Sequence, residues 1–217
     1  MFVRRAALLF AIAVTAAADI DHQDITFCIH ETTLIELPAA PGKPVEIPIA
    51  DGIVLRGVAT GDFVADFEVL RHGRACYRFH LDDYSCNGAI IWSVEAQAFA
   101  FTYSDGGAIG NFHVRIFSLR DGKCGDISSM IGPAVRDFAS RHYCRTRGNN
   151  VTVLKWLNKG REMLLMTEVY PTSDCGPGLG YTEGYVIRVP GGTILRRLSE
   201  RQLKRYPGVC LDKDTSE

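Results

Sequence analysis

The chain has 217 residues, of which 47% are hydrophobic and 23% charged, and its 24 Lys and Arg offset 25 Asp and Glu to a formal net charge of −1. That balance excludes a disordered polyelectrolyte and gives no electrostatic case for binding nucleic acid or an anionic membrane surface. The length and apolar content suit one globular domain with a real core.

Residues 1–18 read as a signal peptide. Met1-Phe2-Val3-Arg4-Arg5 is a cationic start, Ala6 to Val14 an apolar run, and Ala16-Ala17-Ala18 the small residues before polar Asp19. A spanning helix needs about 20 apolar residues, more than this run holds. Cleavage after Ala18 is expected to leave residues 19–217 as a single mainly β domain, secreted or periplasmic, with no membrane span. No Cys stands at the cleavage point, so no lipid anchor is expected there.

Export changes the meaning of the seven cysteines. In an oxidising compartment, scattered cysteines usually form disulfides. No C-x-x-C occurs, and close His–Cys pairs such as His142-x-Cys144 stand far apart in the chain, so neither a metal nor any cofactor is implied. Cys76, Cys86, Cys124, Cys144, Cys175 and Cys210 are the disulfide candidates. Spacing does not fix their connectivity. Local pairing would join Cys76 to Cys86 across a hairpin, Cys124 to Cys144 around a helix, and Cys175 to Cys210, leaving Cys28 over.

Residues 24–75 read as short strands. Val45 to Ile49, Ile53 to Val58 and Phe63 to Leu70 are apolar runs separated by Asp51-Gly52 and Gly61-Asp62 and closed by His72-Gly73. Pro48 implies an edge strand, because it cannot donate to a ladder. His80, Asp82, Asp83 and Tyr84 could hold a cation, but Asp is also favoured in turns, and a hairpin tip is the preferred reading. Ala89 to Ser93, Ala98 to Tyr103 and Phe112 to Leu119 then form three strands, and Ser104-Asp105-Gly106-Gly107 is a turn rather than a phosphate loop, since a strand follows it.

Pro133 to His142 is expected to be a helix with Pro in its first turn. The strand order then repeats: Val151 to Trp156, Glu162 to Thr167 and Gly184 to Val189. Met163 follows Trp156 at the spacing by which Phe99 follows Trp92. Repeat units are thus expected near 89–122 and 151–195. Ser199 and Gln202 form a capping box for a last short helix through Tyr206, stopped at Pro207-Gly208. The basic residues Arg196, Arg197, Arg201, Lys204 and Arg205 read as the solvated face of that helix. Asn150-Val151-Thr152 is a formal glycosylation sequon.

Trp92-Ser93-Val94-Glu95-Ala96-Gln97-Ala98-Phe99-Ala100-Phe101 resembles a blade of the TolB-type β-propeller repeat, and Trp156 to Leu165 is a fainter copy. The resemblance implies blade-like antiparallel sheets, as a partial propeller or a sandwich, with one or two short helices. It carries over no functional residue.

No nucleophile elbow, Walker loop or H-E-x-x-H occurs, and the six histidines are dispersed. The most suggestive segment is Glu168 to Glu183, which mixes acids, hydroxyls and aromatics with Gly, Pro and Cys175 in the long loop of the second repeat. Loops on a rigid scaffold commonly carry recognition, and Tyr offers contact area with a polar tip. Glu168, Tyr170, Asp174, Tyr181 and Glu183 are the candidate ligand-binding residues. The expected function is an exported binding module for a protein or cell-envelope ligand, of the inhibitor or immunity kind. A hydrolase built from dispersed acids and histidines, and a structural envelope protein, are the alternatives.

Overall fold

The computed structural model describes residues 33–36, 41–84, 87–105, 111–142, 150–169 and 180–207. Its strands are β1 (Thr33–Glu36), β2 (Pro44–Ala50), β3 (Ile53–Gly61), β4 (Val64–Arg71), β5 (Arg74–Leu81), β6 (Asn87–Ser93), β7 (Ala98–Ser104), β8 (Phe112–Ser118), β9 (Gly125–Asp126), β10 (Asn150–Leu157), β11 (Glu162–Val169), β12 (Tyr181–Arg188) and β13 (Ile194–Ser199). The helices are α1 (Gly132–Arg141) and α2 (Glu200–Lys204). Among the described residues the strands form three antiparallel sheets: a first sheet β2-β3-β4-β5, a second β1-β6-β7-β8-β9 and a third β10-β11-β12-β13. The protein is therefore mainly β, built of blade-like meanders, and the described strands form no closed barrel. No helix among the described residues is long and apolar enough to cross a membrane.

The expected repeats fall on the second and third sheets. The first sheet is a further meander of the same kind, and it runs one strand beyond the sequence reading, through Arg74–Leu81. Pro48 lies in β2, an end strand of its sheet, where the missing donor costs nothing.

The sheets stack because their strands alternate. Inward residues of the first sheet, including Leu55, Phe67, Val69 and Phe79, pack against Phe99, Phe101 and Phe117 of the second. Phe67 and Phe79 stack at 5.0 Å, and Phe79 and Phe117 at 4.9 Å. The second sheet is covered on its other face too. There Ile91, Ala100 and Ile116 meet Val153, Met163, Leu165 and Tyr185 of the third sheet, with Ala134 and Phe138 of α1. β7 thus sends Phe99 and Phe101 one way and Ala100 the other, and the small side receives the bulk of Met163 and Leu165. A strand apolar on both faces is what burial in a central layer demands. The outer face of the third sheet is covered by α2, where Leu203 packs on Leu164, Met166, Val186 and Leu198.

α1 starts with Pro in its first turn, as expected. α2 has the expected capping box: Gln202 N donates to Ser199 Oγ at 3.4 Å, and Ser199 N donates to Gln202 Oε1 at 2.8 Å. It ends at Lys204, short of Tyr206.

Cys76 is bridged to Cys124, with Cα atoms 5.6 Å apart. This corrects the local pairings of Cys76 with Cys86 and of Cys124 with Cys144. β5 and β6 lie in different sheets, so no hairpin brings Cys76 back to Cys86. The bridge instead ties β5 to the segment before β9, holding the first sheet to the second. Cys28, Cys86, Cys144, Cys175 and Cys210 lie outside the described residues. For the same reason Asp82 and Asp83 are not a hairpin tip: they stand where the chain leaves the first sheet for the second.

Candidate functional site at the loop-bearing end

Hydrogen bonds bring corresponding ends of the three sheets together. At one end the turns are short and interlocked. Arg71 Nη1 donates to Leu119 O at 3.3 Å, Leu119 N to Gln97 O at 2.8 Å, and Arg120 Nε to Ala96 O at 2.9 Å. Gly160, at φ +71°, fits so closely that an added Cβ would stand 2.6 Å from Ala96 N. Trp156 Nε1 donates to Ile91 O at 3.1 Å, so the two repeated tryptophan segments lie side by side.

The opposite end carries the longer connections. Tyr84, just after β5, lies 6.3 Å from Tyr103, and Tyr103 lies 5.4 Å from His113. Phe112 N donates to Asn150 Oδ1 at 2.6 Å, and Asn150 is in register with Glu168. The tips β3–β4, β7–β8 and β11–β12 therefore share this end.

Each sheet places one histidine–carboxylate pair there. His80 Nδ1 lies 2.6 Å from Asp66 Oδ1 and its Nε2 lies 3.2 Å from Asp82 Oδ1. The hydrogen bond with Asp66 is the main cause that raises the imidazole pKa above its ordinary value. His113 Nε2 lies 3.2 Å from Asp105 Oδ2. Burial alone would raise the Asp105 carboxyl, but bonds from Asn111 and His113 outweigh it and lower its pKa. His142, after α1, holds its Nε2 3.0 Å from Glu183 Oε1 of β12.

The third pair belongs to a wider network. Arg141 donates to Glu183 at 2.5 Å and to Asp137 at 2.8 Å. The Tyr185 hydroxyl lies 2.9 Å from Asp137 Oδ2 and 2.9 Å from Glu183 Oε2, and it accepts from Arg141. Arg197 of β13 closes on Asp137 from the other side. Partial burial would raise Glu183, yet bonds from Arg141, His142 and Tyr185 hold its carboxyl at about 2. Burial, with bonds to Asp137 and Glu183, pushes the Tyr185 phenol well above its usual value. Tyr181 stacks on His142 at 4.3 Å and remains 39% exposed.

Two arginines face two carboxylates in one connected network, Arg141 bonded to both and Arg197 to Asp137. Such a network fixes α1 to the third sheet and presents the Tyr181–His142 stack. It offers no unpaired base or nucleophile. Among the described residues no group of three or more His, Cys, Asp or Glu could hold a metal ion.

The sequence-derived ligand residues divide accordingly. Tyr181 and Glu183 lie on one face of β12 with Tyr185. Glu168 lies on the other face: it is in register with Thr182, while Glu183 is in register with Thr167. Glu168 is 4% exposed and accepts from Thr182 Oγ1 at 3.2 Å. Burial pushes its carboxyl up to about 7, against the Thr182 bond, with the charge of Glu200 adding to the rise. Tyr170 and Asp174 lie outside the described residues. Asp137, Arg141, Tyr185 and Arg197 were not legible in the sequence. Only the i, i+4 spacing of Asp137 and Arg141 on a helix hinted at a pair.

The exposed face of the first sheet bears a groove of about 870 Å³ lined by Arg56, Asp66, Arg78 and His80. Its charges satisfy one another in a cross-strand row: Arg56 to Glu46 at 2.6 Å, Arg56 to Glu68 at 3.2 Å and Arg78 to Glu68 at 2.6 Å. Comparison of the chain with protein-family models, curated proteins and solved structures returns no match.

Proposed function

We propose that the mature chain is an exported binding module that recognises a protein or cell-envelope ligand through its loop-bearing end. The observation that carries this reading is the placement of exposed aromatics. Phe63, 56% exposed in the β3–β4 turn, and Tyr181, 39% exposed at the start of β12, both stand at that end. Aromatic side chains on a rigid frame are the usual anchors of recognition surfaces. The N-terminal signal and the Cys76–Cys124 bridge support an extracytoplasmic setting. The same reading takes the three meanders as divergent blades of the TolB-type repeat, supported by the adjacent placing of Trp92 and Trp156 segments.

A hydrolytic role draws less support. The carboxyls of Asp105, Asp137 and Glu183 are lowered by their hydrogen-bond partners, whereas acid–base work needs a group whose pKa lies near the working pH. Glu168 has such a pKa, but it is buried on the face turned toward α2.

The test is capture from an extracytoplasmic fraction with three immobilised proteins: wild type, Phe63→Ser/Tyr181→Ser, and Val94→Ser. Val94 is 70% exposed at the opposite end and serves as control. The expected result is one reproducible partner retained by wild type and Val94→Ser and lost by the double variant, with all three folded by circular dichroism. Equal retention by all three would remove the loop-bearing end from the reading, and no specific capture by wild type would remove the binding module itself.

A further inference from the structure

The outer face of the third sheet gathers cations that are scattered in sequence. Val186 packs with Leu198 and Leu203 beneath α2, and Arg196 is in register with Val186, so Arg196 stands on that same face. Arg188, two residues beyond Val186 on β12, shares it by strand alternation. α2 then adds Arg201 and Lys204, and Arg205 follows at its end. All five side chains are exposed. The strand and helix contributions meet, because Arg196 Nη2 reaches the Tyr206 hydroxyl at 3.4 Å.

Two carboxylates stand beside this charge. Glu200 is paired with Lys204 at 2.7 Å, and Glu162, in register with Arg188, is bonded to Asn158 at 3.0 Å. Elsewhere Arg56, Arg78, Arg115, Arg141 and Arg197 each have a carboxylate partner, and Arg71 and Arg120 donate to backbone carbonyls, while the other arginines without an ion pair stand dispersed. No ion pair within the described residues engages Arg188, Arg196, Arg201 or Arg205. A chain of near-zero net charge thus gathers four guanidiniums without an ion-pair partner among the described residues on one face, where Glu162 and Glu200 offset only part of their charge.

We propose that this face docks a carboxylate-rich segment of a protein partner, at a surface separate from the loop-bearing end. Guanidinium forks match planar carboxylates bidentately, whereas a lysine patch would act as diffuse point charges. A membrane surface fits less well, since none of the large exposed apolar side chains Phe63, Val94 and Tyr181 lies on this face to enter a bilayer. The charge of one elongated acidic segment would complement the line from Arg188 through Arg196 to α2.

Fluorescence anisotropy with labelled poly-L-glutamate tests the proposal on the full mature chain. Arg196→Glu/Arg201→Glu alters the face. Lys43→Glu/Arg136→Glu makes the same change in net charge elsewhere. Wild type and control are expected to bind alike, with affinity that falls as salt rises, and the face variant to bind at least about tenfold more weakly. Circular dichroism verifies folding, and the milder Arg188→Gln/Arg205→Gln replaces the face variant if it is unfolded. Equal weakening in the control, or no binding by wild type, overturns the proposal. Tighter binding to phosphatidylglycerol vesicles than to poly-L-glutamate would assign the face to a membrane instead. About tenfold tighter binding by Asp212→Asn/Asp214→Asn/Glu217→Gln would assign it to the chain's own acidic C-terminus.

Discussion

Replacing Glu168 with Gln is expected to stabilise the protein at alkaline pH and to change little in mild acid. Glu168 lies near the end of β11 on the face that α2 covers, and its one hydrogen-bond donor among the described residues is the Thr182 hydroxyl at 3.2 Å. Thr152, on the neighbouring strand, buries a hydroxyl that has no partner among the described residues. Burial raises the Glu168 carboxyl from an ordinary 4.5 to about 7. The folded state therefore holds this proton more tightly than the unfolded chain does. Its contribution is intact below pH 4.5, falls as pH rises from there to about 7, and levels off above. A shift of about two and a half pK units corresponds to about 3 kcal/mol between the two plateaus. Gln keeps an acceptor for Thr182 and cannot ionise. Urea unfolding of both proteins at pH 5 and pH 8, without reductant, isolates this group, because all other titrations cancel in the difference. The variant's advantage should grow by about 2.5 kcal/mol between the two pH values, because at pH 5 the unfolded chain's carboxyl is already mostly ionised. A pH-independent difference, or a variant less stable than wild type at pH 8, would refute the burial argument.

Three other perturbations probe the frame and the network. Reducing the Cys76–Cys124 bridge opens a link between residues 48 apart in sequence and should cost about 4 kcal/mol, read as a drop in thermal midpoint on adding reductant; an unchanged midpoint would count against the bridge. Gly192→Ala places a Cβ 1.9 Å from Met130 O at φ +69°, so it should cost well over about 2 kcal/mol, whereas Gly73→Ala, at φ +76° with open space around it, should cost only about 1 kcal/mol by urea titration. Glu183 is held at about 2, so its contribution is present above the ordinary carboxylate range and is lost as pH falls through about 2. Glu183→Gln should therefore lower stability at neutral pH and flatten the acid limb of a fluorescence-monitored unfolding curve, and an unchanged acid limb would show that the network does not hold that carboxyl.

The strands were legible where one physical rule acted alone. β7 alternates large and small apolar residues, and the turns at Asp51-Gly52, His72-Gly73 and Asn158-Lys159-Gly160 punctuate the meanders, so the sequence marked those elements closely. The capping box of α2 is likewise a local signal. β5 escaped because its outer face meets solvent. Arg74, Arg78 and His80 break the apolar run there, although Tyr77, Phe79 and Leu81 supply the inward face. The disulfide escaped for another reason: proximity in sequence is a guide only when a hairpin returns the chain, and here the chain crosses to another sheet.

The candidate site turns on the same distinction between local and long-range order. The segment from Glu168 to Glu183 was singled out by composition, and composition does not know about faces. In an antiparallel pair, directly opposed residues share a face and their neighbours take the other. Once Glu168 is opposed to Thr182, Glu183 must point the other way, with Tyr181 and Tyr185. One carboxylate then falls under α2, where burial pushes it up to about 7, and the other falls beside α1, where Arg141, His142 and Tyr185 hold it at about 2. Two glutamates that flank one loop are thus given opposite proton affinities by a one-residue step in register. The first can sense pH through the stability of the α2 face. The second stays charged throughout the physiological range and keeps Tyr181 and His142 presented at the loop-bearing end.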